Sequence, residues 1–221
     1  MANRKINFTV GEYYHVFNRG VDKRIIFSTK EQQLFFFHRL RLLNTSNCRK
    51  YIANQRSRFK TKDIVASGDK LVSIVAYNLL PNHFHLILRQ EIEDGISRFM
   101  HRLSTSYTMY FNQLEERSGS LFQGRFKATH LKGDLALPVL TAYVNLNHKH
   151  HTIDPTKYLV KSSLDEYFNQ EHGLLICDPY EIARVIDEVG GLAVYKKFAK
   201  QCSLSFAVNK NTELTSKDFE F

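Results

Sequence analysis

The sequence predicts an α+β protein built on an antiparallel sheet of ferredoxin-like topology, with helices packed on one face of the sheet. Two observations support this fold class. Short apolar or alternating segments, typical of strands, are interspersed with longer segments whose apolar residues recur at helical spacing. Their order is β-α-β-β-α-β followed by another helix, which is the order of the ferredoxin-like unit. With 221 residues, 43% of them hydrophobic, the chain can bury a core of one or two domains.

The first half of the chain supplies three strands and one helix. The segment 12–20 mixes aromatic and β-branched residues and stops at a glycine, as a strand does. A helix is predicted over 29–44, which opens on a threonine suited to capping. The apolar segment 71–80 predicts a buried strand, and 81–90 predicts its antiparallel partner after a tight Pro-Asn turn.

The second half supplies the remaining elements. The segment 96–118 carries one apolar stripe at helical spacing, and 120–131 alternates as a strand does. Another helix is predicted over 134–149, and short amphipathic helices follow it. We therefore divide the chain into a main domain, 1–152, and a C-terminal helical extension and tail, 153–221.

The chain is strongly basic, with 31 Lys and Arg against 22 Asp and Glu and a formal charge of +9. Such a surplus favours a polyanionic partner. Its 17 Phe and 11 Tyr suit single-stranded nucleic acid, whose bases stack on aromatic rings. Within the basic run 48–63, Arg56, Arg58 and Lys60 are candidates to contact phosphates; the alternative is a solvated surface segment.

Cysteine usage and hydropathy predict a cytoplasmic protein. The three cysteines are widely spaced and odd in number, which favours neither a disulfide framework nor a cysteine metal cluster. The sequence begins without an apolar leader, and no stretch reaches membrane-spanning length, so no membrane association is expected.

The stretch LLPNHFHLILRQ places two histidines at a spacing of two within a predicted strand. Alternate side chains of a strand point to opposite faces, so His83 and His85 share one face while Phe84 points to the other. Two imidazoles side by side fit a two-histidine metal site. On spacing alone, a pair of half-buried histidines that make hydrogen bonds explains the pattern as well.

The helix over 134–149 carries residues that complete such a site. Tyr143 and Asn147 are four residues apart and therefore share one helical face. The two histidines and the amide oxygen of Asn147 would hold Mg²⁺ or Mn²⁺, and the hydroxyl of Tyr143 would attack a phosphodiester to form a covalent enzyme–DNA link. Tyr107 is a rival nucleophile, but it lies on the apolar stripe of its helix, which favours core packing.

Three further basic residues are candidates for contact with the DNA backbone. Arg125 and Lys127 follow Gly124 in the predicted strand, and Arg19 ends the first strand. Ordinary surface charge explains these residues equally well.

Four blocks together resemble the single-tyrosine HUH transposases, and among them the REP-associated tyrosine transposases. The blocks are YHVFNRGVDKRIIF, YNLLPNHFHLIL, GSLFQGRFKA and YVNLNHKHH, and they occur in order over residues 12–150. The resemblance implies a metal-dependent enzyme that nicks and rejoins hairpin-bearing single-stranded DNA and acts as a homodimer. The aromatic first strand is a candidate for edge-to-edge pairing in such a dimer.

The resemblance also assigns roles by position and leaves alternatives. His83 and His85 match the motif histidines, Tyr143 the nucleophile, and Asn147 the polar ligand one turn later. His148 replaces the proline usual after that asparagine, and we expect that it extends the helix without a functional role. The alternative is that one of His148, His150 and His151 contacts metal or phosphate. A DNA-binding protein that lost catalysis, a replication-initiator or relaxase nickase, and a metal phosphohydrolase without a tyrosine nucleophile are the competing functions.

Overall fold

The computed structural model describes residues 6–47, 68–133, 136–150, 159–168 and 175–210. The strands are β1 (Tyr13–Arg19), β2 (Val72–Leu80), β3 (His83–Gln90), β4 (Lys127–His130) and β5 (Lys161–Ser162). The helices are α1 (Lys30–Leu42), α2 (Gly95–Leu114), α3 (Ala136–His150), α4 (Leu164–Phe168), α5 (Pro179–Glu188) and α6 (Leu192–Lys210). Within these ranges, no helix is both long and apolar enough to cross a membrane.

The five strands form one antiparallel sheet in the order β4-β1-β3-β2-β5. The predicted α+β class with an antiparallel sheet is confirmed. Strand β3, which carries the histidine pair, is central, and β1 lies between β3 and β4. Both sides of β1 are therefore hydrogen-bonded within the chain, and the expectation that β1 pairs edge to edge with a second copy is wrong. Among the residues that the structure describes, β4 and β5 are the edge strands of the sheet.

The strand predicted over 120–131 is shorter than expected. Regular pairing covers only Lys127–His130, while Phe122 makes an isolated bridge to Gly20. Gly124 adopts a φ of 83°, a left-handed conformation that breaks the extended backbone. Arg125 consequently lies in a bend and not in the strand.

One face of the sheet packs against α1 and α2, the two helices of the ferredoxin-like unit. The ring of Phe36 in α1 lies 5.3 Å from that of Phe84 in β3 and 5.1 Å from that of Tyr107 in α2. Helix α1 begins where predicted, because Thr29 and Gln32 form a capping box between their side chains and backbone amides. The expected shared face for these two helices is confirmed.

We expect Phe36→Ala to lower the free energy of unfolding by about 3–5 kcal/mol, because the substitution empties a fully buried aromatic site. Chemical denaturation of both proteins measures the change. Leu34→Ala on the same helix is the control: Leu34 is 65% exposed, so its loss should change stability by no more than about 0.5 kcal/mol. Equal losses in the two variants would contradict the placement of Phe36 in the core.

The region after residue 152 adds to the same sheet. Strand β5 pairs with β2, and the backbone amide of Ser163 donates to the carbonyl oxygen of Tyr77 at 3.0 Å. The hydroxyl of Tyr167 donates to the carbonyl oxygen of Val75 at 2.8 Å. Helices α5 and α6 then pack on α3. The predicted C-terminal extension thus supplies an edge strand that the sequence analysis did not identify.

Candidate active site

The register of the sheet sets the histidine pair among side chains of neighbouring strands. His83 and His85 alternate with Phe84, whose ring enters the core on the opposite face. Phe17 of β1 and Asn78 of β2 are the direct partners of His85 on either side. Directly paired residues point to the same face, so these four side chains form part of one surface of the sheet. Both histidines are buried.

Helix α3 lies across this surface, on the face opposite to α1 and α2. The side-chain amide of Asn78 donates to the carbonyl oxygen of Val144 at 2.7 Å, which fixes the helix against β2. The ring of Tyr143 is nearly perpendicular to those of His15 and His85, with centroids 6.3 Å from each. A single chain therefore brings the predicted nucleophile beside the predicted metal ligand.

Asn147 lies one helical turn after Tyr143 and is completely buried. In the part of the chain that the structure describes, neither its amide oxygen nor its amide nitrogen has a hydrogen-bond partner. A buried amide without partners is costly unless a ligand satisfies it, and an amide oxygen is a suitable ligand for Mg²⁺ or Mn²⁺. The residues present thus fit a divalent cation.

The amide is essential to that fit. The described residues contain no group of three or more His, Cys, Asp or Glu side chains arranged to hold a metal ion. A site at this position therefore depends on the amide in addition to the two imidazoles. Two histidines and one amide leave coordination positions for phosphate oxygens.

Both histidines of the pair contact a polar side chain through Nδ1. Nδ1 of His83 lies 2.6 Å from the side-chain oxygen of Asn82, and Nδ1 of His85 lies 2.9 Å from Nε2 of His15. His15 is fully buried, and this desolvation lowers its pKa to about 3, so the ring is neutral at physiological pH. The role of His15 could not be predicted from the sequence, because its contact to His85 depends on the pairing of β1 with β3.

Tyr107 lies in the core on the other face of the sheet. Its ring packs against Phe27 and Phe36, and its hydroxyl donates to the carbonyl oxygen of Ile26. Burial raises its pKa well above the ordinary value, which opposes ionisation to a nucleophile. These contacts favour the packing role that the sequence analysis assigned to it.

The basic candidates differ in their position relative to the histidines. Arg19 pairs directly with His83, and Lys127 pairs with Phe17, the neighbour of His85, so both extend from the histidine face. Arg125 is exposed in the bend before β4. The remaining candidates lie outside the described residues: Arg56, Arg58 and Lys60.

The histidines at the end of α3 remain without an assigned role. His148 is half-buried, and burial together with the charge of Lys149 lowers its pKa. The side chain of His150 and the whole of His151 lie outside the part that the structure describes. The expectation that these histidines do not contact metal or phosphate stays a prediction.

Comparison with known proteins gives the class of enzyme and then its family. A family model described as "Transposase IS200 like" matches residues 35–147, so the protein is a DNA-binding transposase. That match spans just over half of the 221 residues, and the chain belongs to the IS200-like transposase family. The match includes both histidines and the tyrosine-bearing helix through Asn147.

A solved structure of a REP-associated tyrosine transposase bound to a REP hairpin shares the fold, with a TM-score of 0.53. The similarity covers 80% of this chain and 94% of the other chain, at 14% sequence identity. A search among curated proteins found no match.

Proposed function

We propose that this transposase nicks and rejoins single-stranded DNA through a covalent link to Tyr143, with a divalent cation held by His83, His85 and Asn147. The observation that supports this most strongly is the position of Tyr143 beside His85 within one chain. Membership of the IS200-like family supplies the reaction class. Incubating the protein with labelled hairpin DNA and Mg²⁺ tests the proposal, because a covalent adduct is retained on a denaturing gel. Absence of any adduct would contradict it.

The proposed reaction is a transfer of the phosphoryl group to tyrosine. The oxygen of Tyr143 attacks the phosphorus and its proton is lost to solvent, while the bond to the 3′ oxygen breaks and that oxygen takes up a proton. The products are a 5′-phosphotyrosine and a free 3′-hydroxyl. Attack by another 3′-hydroxyl on the phosphotyrosine rejoins the DNA and releases the tyrosine.

The buried surface around Tyr143 favours this chemistry. Tyr143 is 6% exposed, and its ring contacts those of His15 and His85 edge-on, so its hydroxyl has few alternative positions. A fixed nucleophile avoids the entropic cost of orientation at the moment of attack. The bound cation would polarise the phosphodiester and lower the cost of charge developing on its oxygens.

Hairpin-bearing single-stranded DNA is the proposed partner. The formal charge of +9 supports binding to a polyanion, and the solved transposase with the same fold is bound to a REP hairpin. Arg19 and Lys127 lie on the histidine face, where a strand that reaches Tyr143 would pass. We therefore propose that both contact its phosphates, and that Arg125 adds a contact from the neighbouring bend.

We expect Arg19→Ala and Lys127→Ala each to weaken binding of the hairpin DNA and to reduce the salt dependence of the affinity. The slope of log affinity against log salt should fall by about 1 for each phosphate contact removed. Titrations at several salt concentrations measure this. Lys30→Ala is the control, because Lys30 is exposed at the start of α1 on the opposite side of the sheet. Unchanged slopes in both site variants would contradict the proposed DNA path.

We also propose that the enzyme acts as a homodimer, as the family resemblance implies. Because β1 is interior, a second copy must associate through other surfaces. Light scattering of the purified protein at micromolar concentration measures the assembly, and a monomer would contradict it. The second candidate function is DNA binding without catalysis. The adduct assay distinguishes it from the proposed function, because such a protein would bind the hairpin DNA and form no covalent adduct, whereas its oligomeric state would not tell the two apart.

A further inference from the structure

The imidazole rings of His15 and His85 contact each other through one nitrogen atom of each ring. Nε2 of His15 lies 2.9 Å from Nδ1 of His85, and the two ring planes differ by only 12°. The ring centroids are 5.1 Å apart, and the radii of the rings account for the difference from the nitrogen–nitrogen distance. The rings therefore lie nearly in one plane with nitrogen facing nitrogen, which is the geometry of a hydrogen bond and not of face stacking.

The proton in this hydrogen bond determines which nitrogen of His85 can bind a metal ion. A neutral imidazole has one donor and one acceptor nitrogen, so either His85 donates through Nδ1 or His15 donates through Nε2. In the first arrangement the lone pair of His85 is at Nε2. In the second, Nε2 of His85 carries the proton and cannot act as a ligand. Only the first arrangement is compatible with a metal ion at Nε2.

We propose that His15 is a positioning residue for the metal site: its Nε2 accepts the Nδ1 proton of His85 and thereby presents Nε2 of His85 to the cation. This inference rests on the proposed function, in which His85 is a ligand. The neighbouring ligand is held in the same way, because Nδ1 of His83 lies 2.6 Å from the side-chain oxygen of Asn82. Metal-ligating histidines generally engage an outer partner through their second nitrogen.

The surroundings of His15 oppose a role in packing alone. Its ring is fully buried beside Phe17, at a centroid distance of 5.0 Å, and beside Tyr143. An apolar ring would fill this space without the cost of desolvating two ring nitrogens. Within the described ranges, Nδ1 of His15 has no hydrogen-bond partner, so the contact to His85 is the polar interaction that accounts for a histidine here.

Two substitutions of His15 distinguish the effect of its hydrogen-bond acceptor from the effect of its side-chain volume. His15→Phe keeps a ring in the same space and removes the acceptor, whereas His15→Gln places an amide oxygen close to the position of Nε2. We expect calorimetric Mn²⁺ affinity to fall by about 10–100-fold in His15→Phe, the range for loss of an outer partner, and largely to recover in His15→Gln. His101→Ala removes an exposed histidine of α2 and should leave the affinity unchanged.

NMR of nitrogen-labelled histidine rings provides a second measurement that does not depend on a variant folding. In wild-type protein without metal, where no cation fixes the tautomer, His85 should already carry its proton at Nδ1 because His15 accepts it. A packing role for His15 would leave the position of that proton undetermined. Thermal melting of each variant establishes that it is folded before its affinity is compared.

Three results would overturn the inference: wild-type Mn²⁺ affinity in folded His15→Phe, an equal loss in His15→Gln and His15→Phe, or a proton at Nε2 of His85 in the metal-free protein. Failure of the metal site itself has a different signature. Wild type and His85→Ala would then bind Mn²⁺ equally, and both the site and the positioning role would be rejected.

Discussion

Replacing Tyr143 with phenylalanine is expected to abolish formation of the covalent DNA adduct while leaving hairpin binding and Mn²⁺ binding intact. The substitution removes one oxygen and keeps the ring that lies 6.3 Å from those of His15 and His85. The loss should be nearly complete, because a covalent route has no substitute once its nucleophile is gone. The measurement is a denaturing gel of protein incubated with labelled hairpin DNA and Mg²⁺.

Tyr107→Phe is the matched control, since it removes the same atom from a tyrosine in the core. Its hydroxyl donates to the carbonyl oxygen of Ile26, so this variant should lose about 1 kcal/mol of stability. It should keep most of its nicking activity, because Tyr107 lies on the face of the sheet opposite to the histidines. An adduct that persists in Tyr143→Phe and disappears in Tyr107→Phe would reverse the assignment.

Replacing His83 with alanine is expected to remove Mn²⁺ binding and cleavage together. The substitution removes one of the three proposed protein ligands, so the affinity should fall by at least the roughly 10–100-fold that even an outer partner contributes. DNA binding should survive, because the basic residues are untouched. Calorimetry with Mn²⁺ and the adduct assay measure the two effects. Because ligation requires neutral imidazoles, Mn²⁺ affinity of the wild type should also weaken on acidification.

His130→Ala is the control for loss of a strand histidine. His130 lies in β4, stacks on Tyr14 and contacts Glu12, so it shares no contact with the proposed metal site. Mn²⁺ affinity and adduct formation should match those of the wild type. If His83→Ala binds Mn²⁺ as tightly as His130→Ala does, the assignment of His83 as a ligand is wrong.

The sequence by itself determined the features that depend on local periodicity. The alternation of side chains along β3 put His83 and His85 on one face and Phe84 on the other, and helical spacing put Tyr143 and Asn147 on one face of α3. These predictions needed only the period of each element, and up to residue 150 the strand and helix bounds agree to within a few residues except at β4. The predicted bounds of β4 were too long, because the left-handed backbone at Gly124 interrupts the extended conformation within the alternating pattern.

The tertiary structure alone decided how the elements meet. The pairing of β1 with β3 brings His15 to His85 although 70 positions separate them, and it makes β1 an interior strand. Likewise, α3 crosses the histidine face of its own chain, which places Tyr143 there without a second copy. Strand register and helix placement depend on contacts between residues far apart in sequence, and the period of one element contains no information about its partner.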